Sequence, residues 1–332
     1  MRPIALTMGE PAGIGGELTL KLWRDHRHDL PSLFVLDSPA RLTAQARALG
    51  IDMTIRSITH PAEAAETDDA LPVLPLAAAV TDTVGVPLTE NAAAVLESIE
   101  RGARLVMDGD AAAVVTNPIQ KDVLYQAGFK LPGHTEYLAE LVGGGARSVM
   151  MLASPMLRVV PVTVHVSLKE ALARLNGDEI VFHGAVLNRA LREDFGIAKP
   201  RIAVAGLNPH AGESGAMGLE DATVIAPAIE ALKDQGIDAF GPVPPDALFT
   251  ARARNGYDAA LCMYHDQALI PIKALDFDRA VNVTLGLPLV RTSPDHGTAL
   301  DIAGKGIADP SSLLASLRMA AEMARHRAGQ AA

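Results

Sequence analysis

Three apolar runs of this chain end in a histidine. "VVPVTVHVSLKEA" carries His165 near its close, "IAVAGLNPHAGESG" places His210 just past one in a loop with Asn208, Pro209 and Gly212, and "LCMYHDQALIPIK" delivers Tyr264, His265, Asp266 and Gln267 together. In an open α/β sheet, ligands gather at the carboxyl ends of strands, so imidazoles far apart in sequence can converge there. Neutral imidazoles that converge are metal ligands by preference, suited to zinc, cobalt or iron-like ions more than to magnesium. The separations of 45 and 55 residues carry no local metal signature such as H-E-x-x-H. Each histidine taken alone reads equally well as a satisfied, partly buried side chain.

The elements that would position these groups follow from hydrophobic pattern. "PIALTM" (3–8), "SLFVLD" (32–37), "AAAVVT" (111–116), "RVVPVTVHV" (158–166), "RIAVAGL" (201–207) and "DAALCMY" (258–264) are short apolar runs rich in β-branched residues. Longer helical stretches lie between them, such as 88–106 with Val95, Ile99, Ala103 and Val106 on one face. Alternating strand and helix predicts a mostly parallel sheet with βαβ connections. The segment 311–327, with Leu313, Leu317, Ala320 and Ala324 on one side, predicts a closing helix.

Length and composition agree. A chain of 332 residues with 49% hydrophobic and only 4% aromatic side chains suits an α/β protein of two domains or one large unit. Net charge is −10 with no Lys/Arg run, which argues against nucleic acid as a partner. Neither a signal-type N-terminus nor a long uncharged apolar run is visible, so the expectation is a cytoplasmic protein with no membrane association. Cys262 is the only cysteine, in an apolar flank that predicts a buried, inert thiol.

The segments "MGEPAGIGGE" (8–17), "TNPIQKDVLYQAGFKLPGHTEYLAE" (116–140), "VTVHVSLKEA" (162–171), "GLNPHAGESGAMGLED" (206–221), "GPVPPDALF" (241–249) and the stretch 257–306 together resemble the 4-hydroxythreonine-4-phosphate dehydrogenase family of vitamin B6 synthesis. The resemblance implies a three-layer α/β/α fold of the isocitrate and isopropylmalate dehydrogenase type, with two subdomains and a cleft between them. It implies a homodimer whose active site is completed by the other subunit. Residues 1–125 with 275–332 would form one subdomain, carrying both termini and the cofactor loop. Residues 126–274 would form the central one, with the dimer interface and the metal histidines. By the same likeness His165, His210 and His265 hold one divalent metal per subunit, zinc, magnesium or cobalt, and His134, Thr135, Lys273, Asn282 and Arg291 contact the substrate. At Gly16 many relatives carry Pro, which bears on the local turn and not on the chemistry.

The nicotinamide fingerprint G-x-G-x-x-G is absent, and "EPAGIGGE" reads most simply as a tight strand-to-helix turn. "SPDHGTALDIAGKGIADP" (293–310) resembles the histidine-glycine loop that holds the adenosine part of NAD or NADP. That likeness puts His296, Gly297, Thr298 and Asp301 near adenine and ribose.

The implied reaction is metal-assisted oxidation of 4-phosphohydroxy-L-threonine, a small phosphorylated amino acid, followed by decarboxylation to 3-amino-2-oxopropyl phosphate. Asp246, Asp266 and Lys121 are alternative general bases, each equally plausible as a supporting residue. Two other readings stand beside this one. A phosphorylated sugar acid, threonate or erythronate 4-phosphate, keeps the chemistry and changes the substrate; acyl transfer of the phosphate acetyltransferase kind changes the class.

Overall fold

In the computed structural model, which describes residues 2–67, 69–131 and 133–330, the β-branched runs are strands and the Ala- and Leu-rich stretches between them are helices. The strands are β1 (Ile4–Thr7), β2 (Leu33–Asp37), β3 (Ile55–Ser57), β4 (Leu71–Pro75), β5 (Val114–Val115), β6 (Val149–Ser154), β7 (Leu157–Thr163), β8 (Arg201–Ala205), β9 (Asp238–Val243), β10 (Ala259–Tyr264), β11 (Val281–Leu285) and β12 (Arg291–Pro294). The helices are α1 (Gly15–His26), α2 (Pro39–Ala48), α3 (Ala92–Met107), α4 (Lys121–Gln126), α5 (His134–Val142), α6 (Leu168–Arg174), α7 (Gly177–Glu193), α8 (Ala226–Asp234), α9 (Pro245–Leu248), α10 (Ala251–Arg254), α11 (His265–Asp276) and α12 (Ser311–Gln330).

The chain groups into two units, Met1–Ser148 with Leu287–Arg325 and Val149–Gly286 with His326–Ala332. Helix α5, expected in the central segment that begins at 126, therefore groups with the first unit. In the first unit the strand order is β3-β4-β2-β1-β5-β12, and every neighbouring pair is parallel. All four residues of β1 are buried, the mark of a strand covered on both faces. Helix α3 lies close to this sheet because its contact face is small: a Cβ on Gly102 would stand 3.1 Å from Val114 Cγ2. Val95, Ile99 and Ala103 on that face pack with Phe34 and Leu36. Side chains of the Val and Ile kind contribute about 1.5–3 kcal/mol each on full burial.

In the second unit the order is β11-β6-β7-β10-β8-β9. Here β6 runs antiparallel to both β7 and β11, while β7, β10, β8 and β9 are parallel neighbours. Its core joins Leu152, Val159, Ala203, Ala260, Cys262 and Ile272. The thiol of Cys262 is fully buried and pushed up by that burial, so the residue is packing. Leu313, Leu317, Ala320 and Ala324 of α12 are all buried, the face that the sequence pattern predicts. Among the described residues no helix is long and apolar enough to cross a membrane.

Candidate functional site

The ends of the parallel strands explain why His165 and His265 meet. Strands β7 and β10 pair in register up to Thr163 opposite Tyr264, and Thr163 Oγ1 donates to the Met263 carbonyl at 2.8 Å. His165 follows two residues after Thr163 and His265 one after Tyr264, so both rings emerge from adjacent strand ends. Their centroids are 5.8 Å apart, with the planes tilted by 44°. The His265 Nδ1 lies 2.7 Å from Asp266 Oδ1, which orients the ring and directs Nε2 away from that carboxylate. The two imidazoles, Tyr264 and Asp266 line a cavity of about 150 Å³. That space is below the ~300–1,000 Å³ of ordinary small-molecule pockets and suits an ion with a few ligand atoms.

Gln267 answers why a polar cluster ends an apolar strand. It is buried; its Oε1 accepts from the Met263 N–H and its Nε2 donates to the Gly206 carbonyl, both at 2.7 Å. One amide thus ties the end of β10 to the end of β8. A polar amide at the third position of a helix that starts at a strand end is the available signal for this role.

His210 follows β8 on a different path. Residues 210–214 all have positive φ, between 41° and 80°, and His210 itself is exposed. Left-handed backbone at non-glycine residues is costly, so something must hold the loop there. Buried Asp221 does this: Oδ1 accepts from the Leu207 N–H at 2.8 Å, and Oδ2 accepts from the Asn208 N–H at 3.1 Å and from Asn208 Nδ2 at 2.9 Å. Among the described residues no group of three or more His, Cys, Asp or Glu side chains is arranged to hold a metal ion. Within one chain the donors brought together are therefore His165 and His265, with His210 on an exposed loop. Lys273 lies on the same helix as His265, half-buried, its Nζ 5.8 Å from the Phe277 ring centre. Asn282 pairs across β11 with Leu152 of β6. Asp246 is exposed in the first turn of α9.

The first unit holds the other group. His134 and Thr135 open α5 behind Gly133, with Glu136 in the first turn. The His134 Nε2 is buried without a partner. Burial, reinforced by the Arg291 and Lys121 cations, holds its imidazole well below the ordinary value, so at neutral pH it carries no charge. Arg291 is buried and points Nε and Nη2 at Thr116 Oγ1, at 3.1 and 2.6 Å. Burial pushes its guanidinium down to about 10, countered by Glu136. Arg291 and Lys121 thus both act electrostatically on the neutral His134 ring, a combination of cations and neutral imidazole suited to an anionic group.

The loop expected to hold a cofactor is built against the glycine turn. Gly13 approaches so closely that a Cβ there would stand 2.8 Å from the Thr298 carbonyl oxygen. The Ile14 N–H donates to that oxygen at 3.1 Å, and Thr298 Oγ1 donates to Gln120 Oε1 at 3.1 Å. His296 has a buried Nε2 without a partner, Gly297 faces open space and Asp301 is exposed. Beyond them, fully buried Glu17 accepts from the Gly304 and Ala308 N–H groups at 3.1 and 3.0 Å. Lys21 donates to the Gly306 carbonyl at 3.1 Å and to the Ala308 carbonyl. One turn of α1 thereby fixes residues 304–308 from both sides of the charge scale. A second buried ion pair joins the end of β2 to α2, with Arg41 Nε 3.0 Å from Asp37 Oδ1 and Nη2 2.5 Å from Oδ2. Nearby Glu10 is pushed up by burial, partly offset by the Ala12 N–H and by Arg41.

Comparison with known proteins identifies the family. The family model described as pyridoxal phosphate biosynthetic protein PdxA matches residues 29–320. The chain is 52% identical to a protein of Bradyrhizobium diazoefficiens named 4-hydroxythreonine-4-phosphate dehydrogenase, over 97% of each chain. It is 51% identical to a protein of the same name from Caulobacter vibrioides, over 98% of each. A crystal structure of 4-hydroxythreonine-4-phosphate dehydrogenase from Klebsiella pneumoniae superposes with a TM-score of 0.89 at 38% identity, covering 98% of this chain and 100% of that one. With a family match over residues 29–320 and relatives about half identical over nearly the whole chain, the chain belongs to the PdxA family.

Proposed function

We propose that this protein oxidises 4-phosphohydroxy-L-threonine with NAD or NADP to 2-amino-3-oxo-4-(phosphohydroxy)butanoate, which loses carbon dioxide to give 3-amino-2-oxopropyl phosphate in pyridoxal phosphate biosynthesis. The observation that carries this reading is the likeness, at about half identity over 97% of the chain, to an enzyme named for that substrate. In the reaction the secondary alcohol carbon gives its hydride to the nicotinamide and the hydroxyl gives up its proton. The carboxylate carbon then leaves with the bond electrons remaining on the substrate as an enolate, which takes up a proton.

The residues of this chain fall into roles. His165 and His265 would hold a divalent ion, with His210 completing the set, and the chemistry supplied there is acidification of the substrate hydroxyl. Asp266 orients His265 through their 2.7 Å contact, which leaves Lys121 and Asp246 as the groups to move the proton. Arg291, with neutral His134 and Thr135, would meet one anionic group of the substrate; Lys273 and Asn282 would meet another. His296, Gly297, Thr298 and Asp301 would face the adenosine half of the cofactor. A homodimer is part of the proposal, supported by the exposed Leu168, Leu172, Leu219 and Phe277 of the second unit.

The test is nicotinamide reduction by native protein and by His265→Ala and His210→Ala, each before and after metal removal. Native activity lost on chelation and restored by a divalent ion, with both variants inactive, is the expected result. Supplying the analogue with hydroxyl in place of amine at carbon 2 separates the sugar-acid alternative, since faster turnover of the hydroxy acid would displace the proposal.

A further inference from the structure

At the other ends of β7 and β10 from the paired imidazoles lies a second cavity, of about 470 Å³, lined by Met156, Arg158, Arg254, Asn255, Tyr257 and Asp258. The strands start here, at Leu157 and Ala259, whereas His165 and His265 follow their far ends. Six or seven residues of strand separate the two places by roughly 20 Å. The cavity is therefore no part of the site described above.

Its charge runs against that of the chain as a whole, which is −10. Asp258, the carboxylate on the wall, is already engaged: Oδ2 accepts from the Arg201 backbone N–H at 2.8 Å and from Arg201 Nε at 3.4 Å. Arg158 is held in place by an Nη1 hydrogen bond to the Asp258 carbonyl at 3.3 Å and lies over the Phe195 ring, 5.0 Å from its centre. Arg254 donates Nη1 to the Met156 carbonyl at 3.1 Å, which fixes its guanidinium, while its Nε is buried with no acceptor. An anion in the cavity would bring opposite charge and acceptor oxygens to the two guanidinium groups on its wall. Two planar guanidinium forks on one cavity match the oxygens of a phosphate group. The volume falls within the ~300–1,000 Å³ of small-molecule sites, room for a phosphate and a small organic group.

We propose that this cavity is an anion site for inorganic phosphate or for the phosphate of a small phosphate monoester. The experiment is calorimetric titration of the native protein with inorganic phosphate and with glycerol phosphate at constant ionic strength, repeated on Arg254→Met and Asn255→Asp. The Asn255→Asp change leaves the Arg254 bond to Met156 in place and adds a like charge at the rim, so it reports even if Arg254→Met folds poorly. Each variant is expected to weaken one binding event by about tenfold or more while nicotinamide-dependent turnover stays at the native level. Tighter binding of the ester names a monoester as occupant, and tighter binding of the free ion names phosphate. Native phosphate affinity and stoichiometry in both variants would overturn the proposal.

Discussion

Replacing Glu17 by Gln should loosen the loop at 304–308 without touching a reacting atom. The glutamine keeps the shape of the side chain, but one of its two ends becomes a donor facing a backbone N–H that now has none to donate to. A hydrogen bond to a charged acceptor is worth about 1.5–3 kcal/mol, and a buried N–H left without a partner costs about 1–3 kcal/mol. Because Glu17 is fully buried, water cannot replace the lost acceptor, and a net loss of about 2–4 kcal/mol is expected. Urea unfolding measures that loss. Steady-state kinetics shows where it falls: about 2 kcal/mol confined to the loop corresponds to about 30-fold in the KM for the nicotinamide cofactor, with kcat nearly unchanged. Glu17→Asp keeps the charge on a shorter arm and should fall between the two. If Glu17→Gln lowers stability and leaves the cofactor KM at its native value, the loop it holds does not serve the cofactor. If stability is also unchanged, the two hydrogen bonds do not exist in solution.

Two further outcomes follow from the geometry. His134 is held neutral in the folded protein, so below about pH 6.5 the unfolded chain binds a proton that the folded one does not. Its contribution to stability is present above that pH and is lost on acidification, by about 1.4 kcal/mol per pH unit, and the pH profiles of native protein and His134→Gln should diverge in that sense below pH 6.5; parallel profiles would contradict the assignment. Asp221→Asn removes an acceptor from the turn that presents His210, and amide exchange at Leu207 and Asn208 should speed up by an amount equivalent to about 1–3 kcal/mol, with metal-dependent activity falling alongside; unchanged protection at both amides would show that the left-handed loop stands without it.

What could be read from the chain and what could not divides along physical lines. The runs that became β1, β2, β7, β8 and β10 are continuous and β-branched because parallel strands are buried on both faces, and the contact faces of α3 and α12 repeat at helical spacing. The β6–β11 pair is not legible because its antiparallel partners lie more than a hundred residues apart, which local pattern does not encode. The strand-end histidines were visible as residue types, yet where the third one points is set by a left-handed run at Ala211, Glu213 and Ser214, residues that give no sign of positive φ. The roles of Glu17, Asp221 and Gln267 are hidden for the same reason: each looks like a solvated polar side chain until the backbone groups it bonds arrive from elsewhere in the chain.

The hydrogen bond from Thr163 to Met263 joins segments that are a hundred positions apart. Loop closure of that span must precede the meeting of the two imidazoles, and non-local pairing is what slows folding. Regained turnover after dilution from denaturant would therefore lag behind regained helix signal, which makes the enzyme's own activity a clock for the assembly of its most distant neighbours.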